Sequence, residues 1–513
     1  MTQKISLAMY HLINVLFITA MMLTFYGVVN QGLFNPLILT NGVWVAFLIF
    51  VLAMMLILGQ KSLRKLAQCC LSFVWSKRQI LGPLSFVMLI VLQIGLIKLI
   101  SAPIGWDVGR LFISNVDLLL EGNPNHANIY LSMNPNNSFF FFMMHHLSLL
   151  AEKFSSGLGS SWLFWQGLNT VFLDLGILIL FFAVRTFYNE KLAYLVAFLA
   201  SFSLMLSPWV LVPYTDIFSF LLQALLLLLA SQVLRSHNML VRIVLSLALG
   251  FVIAVSFLTK PTNLIILIAA LLIMAFKFIE KPKRIAKFGK SHILAVGIMI
   301  LVSLATLWSF DTYKERQNIV TYDESAEKIW PLFIMMGLKD DGGYDSNDSN
   351  YISSIPGRSE KYSEANRIIQ ERLETFELGE ISQFMLQKHF NNTDRGDFGC
   401  GKDGVDQIPA TPATSNFQIK LRDTYYQDGT RSNNLRYYMQ LMWGITLLGI
   451  LITGFKPRDE KVTLILKLAI LGAFMYLLIF EGGRSRYLIQ FLPLFYTLSG
   501  IGWHSYLNRK GAI

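Results

Sequence analysis

The chain has 513 residues, of which 54% are hydrophobic, 13% aromatic and only 15% charged, a composition that indicates a polytopic membrane protein rather than a soluble one. The formal net charge of +11 does not indicate nucleic-acid binding, because the basic residues fall largely in short loops between apolar runs. The three cysteines exclude a disulfide framework.

Twelve apolar runs predict an all-α bundle of about twelve membrane-spanning helices. They cover residues 7–28, 41–59, 82–101, 161–184, 191–206, 216–234, 240–258, 262–279, 292–310, 437–454, 462–480 and 488–506. No small-residue cleavage site follows the first run, so we expect an uncleaved span. Basic residues cluster at 61–78, 277–290, 456–461 and 509–510. Placing these clusters in the cytoplasm gives one consistent topology with both termini inside.

The segment 138–153 decides whether this topology holds. It begins with an apolar run, but it is too short to cross a bilayer comfortably and it ends in charged residues. We therefore expect an amphipathic segment that lies at the outer surface of the membrane. The whole loop 102–160 then faces outward, as does the long segment 311–436.

The outer loop 102–160 carries the first candidate catalytic group, Asp107, just beyond the end of the third span. A carboxylate held at a fixed height over the bilayer is suited to act as a base on a lipid-linked substrate. The alternative is that Asp107 only caps a helix that starts at Val108. Arg110 follows in the same loop, and the cluster Asn134-Pro135-Asn136-Asn137 precedes the amphipathic segment.

Ionisable residues also stand at the ends of later spans on the same outer face. Asp216 opens one span, Lys260 closes another, and Arg484 and Arg486 stand just before the last. Cations are unusual on this side, and an anionic phosphate is a natural ligand for them. The alternatives are an N-cap role for Asp216, snorkelling of Lys260 to the lipid headgroups, and pairing of the arginines with Glu481 or with anionic lipid.

The segment 311–436 holds 21 of the 32 acidic residues, so we expect a small solvated domain there. Residues 363–390 predict one or two amphipathic helices broken near Gly379. The expected organisation is a transmembrane bundle over 1–310 that includes the outer loop, a small and mainly helical extracytoplasmic domain over 311–436, and C-terminal transmembrane helices over 437–513.

Several short motifs, taken in chain order, resemble those of a known superfamily. They are Gly105-Trp106-Asp107, Tyr130-Leu-Ser-Met-Asn-Pro-Asn-Asn137, Val212-Pro-Tyr-Thr-Asp216, Phe257-Leu-Thr-Lys-Pro-Thr262 and Glu481-Gly-Gly-Arg-Ser-Arg-Tyr487. The sequence resembles the GT-C integral-membrane glycosyltransferases, which include the protein O-mannosyltransferases and the aminoarabinose transferase. It is most similar to the mannosyltransferase-like membrane proteins of Gram-positive bacteria. The resemblance covers most of residues 80–510 and implies a GT-C-type helical bundle.

The resemblance implies a role for each matching residue. The family's first-loop acidic residue corresponds to Asp107, which would act as the base, and its second acidic residue corresponds to Asp216. The residues expected to bind the donor phosphate are Lys260, Arg484, Arg486 and Arg110. The residues expected to line the substrate pocket are Trp106, Asn134, Asn136, Asn137, Tyr214, Glu481 and Tyr487.

The chain departs from the family pattern at two points. The basic residue that often stands beside the proline of the first-loop motif is replaced here by Asn134 and Asn136. Phosphate binding is therefore expected to fall on the later cations. The first two spans have no counterpart in the family core, whose first helix corresponds to 82–101.

The implied reaction is the inverting transfer of a sugar from a polyprenyl-phosphate donor to an extracytoplasmic acceptor. The acceptor would be a cell-wall or surface glycopolymer or a lipid-linked saccharide, and the protein would lie in the plasma membrane among its lipids. A divalent metal is compatible with the resemblance, but no residue pattern supports one. The alternative is a flippase or transporter of lipid-linked saccharides, for which repeat-related halves and mid-span charges would be typical. A noncatalytic scaffold would leave the outward cations unexplained.

Overall fold

The computed structural model of the protein describes residues 2–280, 289–407, 409, 411–454 and 461–509. Over these residues the β-structure is limited to one isolated bridge between Val405 and Tyr426, so the prediction of an all-helical protein is confirmed. The helices are α1 Thr2–Asn30, α2 Asn41–Gly59, α3 Lys61–Ser76, α4 Arg78–Ile100, α5 Trp106–Leu120, α6 Asn125–Met133, α7 Ser138–Phe154, α8 Trp162–Phe187, α9 Glu190–Leu204, α10 Thr215–Arg235, α11 Met239–Thr259, α12 Ile265–Glu280, α13 Lys290–Arg316, α14 Trp330–Met336, α15 Ser346–Ser354, α16 Arg358–Thr375, α17 Leu378–Thr393, α18 Cys400–Asp403, α19 Asn416–Tyr425, α20 Ser432–Gly454, α21 Lys461–Ile479 and α22 Leu492–Arg509.

Eight of the described helices are long and apolar enough to cross a membrane, namely α1, α4, α8, α10, α11, α13, α20 and α21. The shorter segments Asn41–Ile57 and Pro261–Lys277 are also apolar and match two further predicted spans. The protein is therefore a multi-pass membrane protein, while the count of twelve spans stays a prediction. Parts of the basic stretches placed in the cytoplasm, at 281–288, 455–460 and 510–513, lie outside the described residues.

Side-chain contacts distinguish the two ends of the helical bundle. At one end, Gln79 at the start of α4 donates a hydrogen bond to Glu190 at the start of α9, at 2.9 Å. At the other end, Ser101 after α4 donates to Gln166 of α8 at 2.6 Å. Gln166 in turn donates to the backbone carbonyl of Leu211, just before α10, at 2.9 Å. The loops that follow α4 and precede α10 therefore lie together at this second end.

Proline sets the helix end at the junction of α11 and α12. Proline disfavours helical geometry in the residue before it, and Lys260 accordingly adopts an extended conformation after α11 ends at Thr259. The turn Pro261–Leu264 then leads into α12. This break places the Lys260 backbone outside both helices, at the same end of the bundle as the start of α10, because the Lys260 amine contacts Asp216.

The helices α3 and α7 are not among the eight spanning helices. The α7 helix covers the predicted amphipathic segment and packs against α5, where the buried ring of His145 pairs with Asn115 at 2.9 Å. The α3 helix occupies residues that were predicted to form a basic loop, and that prediction is wrong. Its alternation of basic and apolar residues forms an amphipathic helix, with Leu66 and Phe73 exposed at 61% and 63%.

Short helices and long loops make up the segment between α13 and α20. The α16 and α17 helices cover the predicted helical stretch, and the chain breaks between them at Phe376-Glu377, near Gly379 as predicted. The break forms there because Glu377 and Glu380 cap the start of α17 reciprocally. A small apolar core beside α16 includes Ile329 and Leu332. This segment contacts the bundle at the end where α10 begins.

Candidate active site

Asp107 lies in the first turn of α5, just after the loop that follows α4. The N-cap residue is Gly105, and no side chain caps this helix end. The interpretation of Asp107 as the cap of a helix starting at Val108 is therefore wrong, because the helix begins at Trp106. The Asp107 side chain is half-buried, and it has no ion-pair partner within the described part of the chain.

A hydrogen-bonded group of tyrosines adjoins Asp107. The Tyr130 hydroxyl lies close to the Asp107 carboxylate, and Asn137 Nδ2 donates to Tyr130 Oη at 2.7 Å and to Tyr214 Oη at 3.1 Å. The Trp106 ring meets the Tyr214 ring edge-on, with centroids 5.2 Å apart. Burial raises the pKa of Tyr130, and the neighbouring Tyr214 and Asp107 raise it further. Tyr130 therefore stays protonated and can donate to a carboxylate.

Asp216 lies in the first turn of α10, and the N-cap residue of that helix is Tyr214. The N-cap interpretation of Asp216 is therefore wrong. The Asp216 side chain is only 2% exposed. It forms an ion pair with Lys260 and lies 3.6 Å from Arg486 Nε. Two cations thus neutralise one buried carboxylate, as a buried charge requires.

Lys260 points inward, towards Asp216. Its amine also lies over the rings of Tyr214 and Tyr487, at 5.8 and 5.9 Å from their centroids, which is within the range of cation–π attraction. This arrangement favours ion pairing over snorkelling to the headgroups. Burial lowers the pKa of Lys260, and the Asp216 charge opposes that shift. The side chain is still 20% exposed, so an anion can reach it.

The turn before α22 brings the two arginines to the same place. Arg484 Nη1 donates to Asp403 Oδ1 at 2.8 Å, and Arg486 Nη1 lies 3.6 Å from Asp403 Oδ2. The Arg486 guanidinium stacks over the Trp106 ring, 4.4 Å from its centroid. The Arg486 side chain is 7% exposed and the Arg484 side chain is 29% exposed. Arg484 is therefore the arginine that a ligand can reach directly.

Glu481 is not the ion-pair partner of these arginines, so that alternative is wrong. Its carboxylate accepts a hydrogen bond from Tyr487 Oη at 2.8 Å. Burial raises the pKa of Glu481, the Tyr487 hydrogen bond and the arginine charges oppose the shift, and the Asp107 charge adds to it. The last effect requires Asp107 and Glu481 to be close in space.

We use the name charge cluster for this group of seven residues, Asp107, Asp216, Lys260, Asp403, Glu481, Arg484 and Arg486. Several buried polar atoms in and around it lack a hydrogen-bond partner among the described protein groups. They are Trp106 Nε1, Thr215 Oγ1, Asp216 Oδ2, Asp403 Oδ2, Ser485 Oγ and Arg486 Nε. Buried polar groups are nearly always hydrogen-bonded. Six such atoms without a hydrogen bond, three of which take part only in the 3.6 Å ion pairs of Arg486, are typical of a place where a polar ligand or water binds.

Three of the predicted site residues stand apart from the charge cluster. Arg110 and Asn136 are exposed, and in the described part of the chain neither contacts a member of the cluster. The Asn134 amide donates to the backbone carbonyl of Tyr130 at 3.1 Å and so stabilises the end of α6. The other ten predicted residues meet in or beside the cluster.

Three residues that sequence reasoning missed belong to this place. Tyr130 contacts Asp107, Asp403 binds both arginines, and Asp406 Oδ1 accepts a hydrogen bond from the backbone N–H of Gly105 at 2.7 Å. Tyr130 opens a motif that the sequence already singled out. Asp403 and Asp406 lie in a loop-rich tract where no periodicity marks a functional side chain. No three His, Cys, Asp or Glu side chains among the described residues are arranged to hold a metal ion.

Comparison with known proteins identifies a family but no activity. A family model described as conserved hypothetical integral membrane protein matches residues 2–506. No curated protein and no solved structure matches the chain.

Proposed function

We propose that this chain, which belongs to the family of conserved hypothetical integral membrane proteins, is a glycosyltransferase that moves a sugar from a polyprenyl-phosphate donor to an extracytoplasmic acceptor. One observation carries the proposal. The Asp107 carboxylate, which forms no ion pair with a described residue, lies in the same cluster as the partly exposed cations Lys260 and Arg484, at one end of a membrane bundle. A base next to an anion-binding surface is the arrangement that transfer from a phosphate leaving group needs.

The cations divide into two kinds. Lys260 and Arg484 keep 20% and 29% of their side chains exposed, so in this proposal they contact the donor phosphate. Arg486 is buried between Trp106, Asp216 and Asp403. Without touching the ligand, its positive charge stabilises the negative charge that develops on the leaving phosphate. The isoprenoid tail of the donor would lie among the spanning helices.

The transfer step is a substitution at the anomeric carbon. The acceptor hydroxyl oxygen forms the new bond to that carbon while the bond from carbon to phosphate oxygen breaks, and the phosphate leaves with the bonding electron pair. Asp107 accepts the proton of the acceptor hydroxyl, and the protonated hydroxyl of the nearby Tyr130 is placed to stabilise the carboxylate. Attack opposite to the leaving group inverts the anomeric configuration.

This proposal places the charge cluster on the extracytoplasmic side of the plasma membrane. The charge pattern of the loops supports that side, and the end of the bundle where α4 stops and α10 begins is the end that carries the cluster. An extracytoplasmic acceptor, such as a surface glycopolymer or a lipid-linked saccharide, follows from that placement.

The test replaces Asp107 by Asn in protein reconstituted into liposomes. Because Gly105 and not Asp107 occupies the N-cap, Asp107→Asn keeps the shape of the side chain and removes its charge, and with it the ability to accept a proton. Transfer from polyprenyl-phosphate hexoses should fall by about 10²–10⁴-fold while the melting temperature stays near that of the wild type. The matched control is Asp117→Asn, on the same helix and paired with His126, which should retain activity. Full activity of Asp107→Asn would rule out the base.

A flippase is the second candidate, because polar side chains also meet within the spans. Asp174 of α8 lies close to Gln93 of α4, and Lys467 of α21 donates to Asn14 of α1 at 2.8 Å. Ionisable groups inside a membrane often mark transport paths. A fluorescent lipid-linked saccharide in the same liposomes separates the two functions, since a flippase would make it accessible to a quencher on the other side without any acceptor.

A further inference from the structure

The tract 397–407, between α17 and α19, is fixed at both ends. At its start the fully buried Asp397 pairs with Arg395 at 2.7 Å and with Arg436 of α20 at 2.9 Å. At its end Val405 forms the isolated bridge with Tyr426. A loop held at both ends by buried contacts keeps the side chains between them in place.

Asp403 projects from the middle of this tract onto the arginines. It is 4% exposed and contacts Arg484 at 2.8 Å and Arg486 at 3.6 Å. Arg484 uses only Nη1 for this contact, so its other N–H donors are available to a ligand. A carboxylate that binds one side of a guanidinium group fixes the direction in which the remaining donors point.

Asp406 contacts the start of α5, the helix that carries Asp107. It accepts a hydrogen bond from the Gly105 backbone N–H at 2.7 Å, and Gly105 is the N-cap of the helix that carries Asp107. The approach is so close that a Cβ at Gly105 would collide with the Asp406 carboxylate.

We propose that the tract 397–407, which belongs to the segment between α13 and α20, is a part of the active site. Asp403 is a positioning residue that orients Arg484 and Arg486 towards the donor phosphate, and Asp406 positions the start of α5. This inference rests on the proposed function for the identity of the ligand. The site is then complete only when this segment is docked on the bundle.

The first test does not depend on the ligand. Phenylglyoxal modifies accessible arginines, and mass spectrometry of the modified full-length protein measures the rate at Arg484. Asp403→Asn should raise that rate about 5-fold or more, because the neutral amide holds the guanidinium less tightly. Asp428→Asn, at an exposed carboxylate of the same segment, should leave the rate unchanged. Equal rates in Asp403→Asn and the wild type would overturn the positioning role, whatever the protein transfers.

The second test measures binding of a long-chain polyprenyl monophosphate to the purified protein. Wild type should bind it, Lys260→Ala should bind it about 10-fold or more weakly, and Asp403→Asn should bind it about 5- to 30-fold more weakly. A melting curve of each variant establishes that it is folded at the temperature of the binding measurement. Wild type that fails to bind, or that binds no better than Lys260→Ala, would refute the proposed function. Unchanged or tighter binding by Asp403→Asn alone would refute the inference, since it would make Asp403 a competitor of the phosphate or a bystander.

Discussion

The replacement Asp216→Asn tests whether the charge cluster also holds the bundle together. The Asp216 side chain is 2% exposed, and those of its partners Lys260 and Arg486 are 20% and 7% exposed. Removing one partner of a buried ion pair costs about 3–5 kcal/mol, because the other charge is left without compensation. Asn keeps an oxygen that can accept a hydrogen bond from Lys260. We therefore expect the free energy of unfolding to fall by about 2–4 kcal/mol, within the range for a broken buried network.

A surface ion pair on the same protein provides the comparison. Glu190 lies 3.6 Å from Arg78 and 3.9 Å from Arg185, and its side chain is 28% exposed. Pairs of this kind contribute about 0–1 kcal/mol, so Glu190→Gln should change the free energy of unfolding by no more than that. Denaturant titration in detergent micelles, followed by tryptophan fluorescence, measures both variants. The reasoning fails if Asp216→Asn is no more destabilising than Glu190→Gln.

A double-variant cycle identifies the cause of the loss. If an uncompensated cation is responsible, Lys260→Met in the background of Asp216→Asn removes that cation and should restore about 1 kcal/mol or more. If Asp216 matters only for packing, the effects of the two substitutions on the free energy of unfolding should be additive. An additive result would show that the ion pair with Lys260 contributes little to stability.

Two further predictions concern topology and pH. Both topology variants are made in a background in which Cys69 and Cys70 are replaced by Ser. Ser359→Cys on the exposed surface of α16 should react with a membrane-impermeant maleimide in intact cells, whereas Ser62→Cys on α3 should not. The reverse pattern would place the charge cluster in the cytoplasm. Burial raises the pKa of the Asp394 carboxyl from 3.8 to about 7, so the folded protein keeps a proton that the unfolded chain has lost. The free energy of unfolding should therefore fall, by about 2–4 kcal/mol in total, as the pH rises from about 4 through about 7. Asp394→Asn should remove this decline, which denaturant titrations at a series of pH values measure. An unchanged dependence of the unfolding free energy on pH in that variant would contradict the prediction.

Apolar runs were sufficient to predict most of the helices, because a chain in a bilayer must satisfy its backbone hydrogen bonds within each spanning segment. The same rule explains why residues at the ends of separate spans meet. Asp216 at the start of α10 and Lys260 at the end of α11 are adjacent because those helices run side by side. Because successive spans cross the membrane in opposite directions, the sequence alone already places Asp216 and Lys260 at one end of the bundle.

The contacts of the charge cluster could not be predicted in the same way. Asp403 is 81 residues before Arg484 in the chain, and it lies in a tract without helical or strand periodicity. Its partner can be found only from the packing of the intervening segment on the bundle. The helix start at Trp106 was missed for a similar reason, since the hydrogen bond from Gly105 to Asp406 joins residues that are 301 positions apart in the chain.

The environments of the acids decide which one can act as the base. Asp216 is neutralised by Lys260 and a neighbouring arginine, and a paired carboxylate is a poor proton acceptor. Asp403 is bound by two arginines. Asp107 lies near the Tyr130 hydroxyl but forms no ion pair in the described part of the chain, so its carboxylate stays available to a substrate hydroxyl. If Asp107→Asn proves fully active, the base cannot simply be moved to Asp216. Glu481 is then the acid to test, because burial raises its pKa towards the range in which a carboxylate serves as a general base.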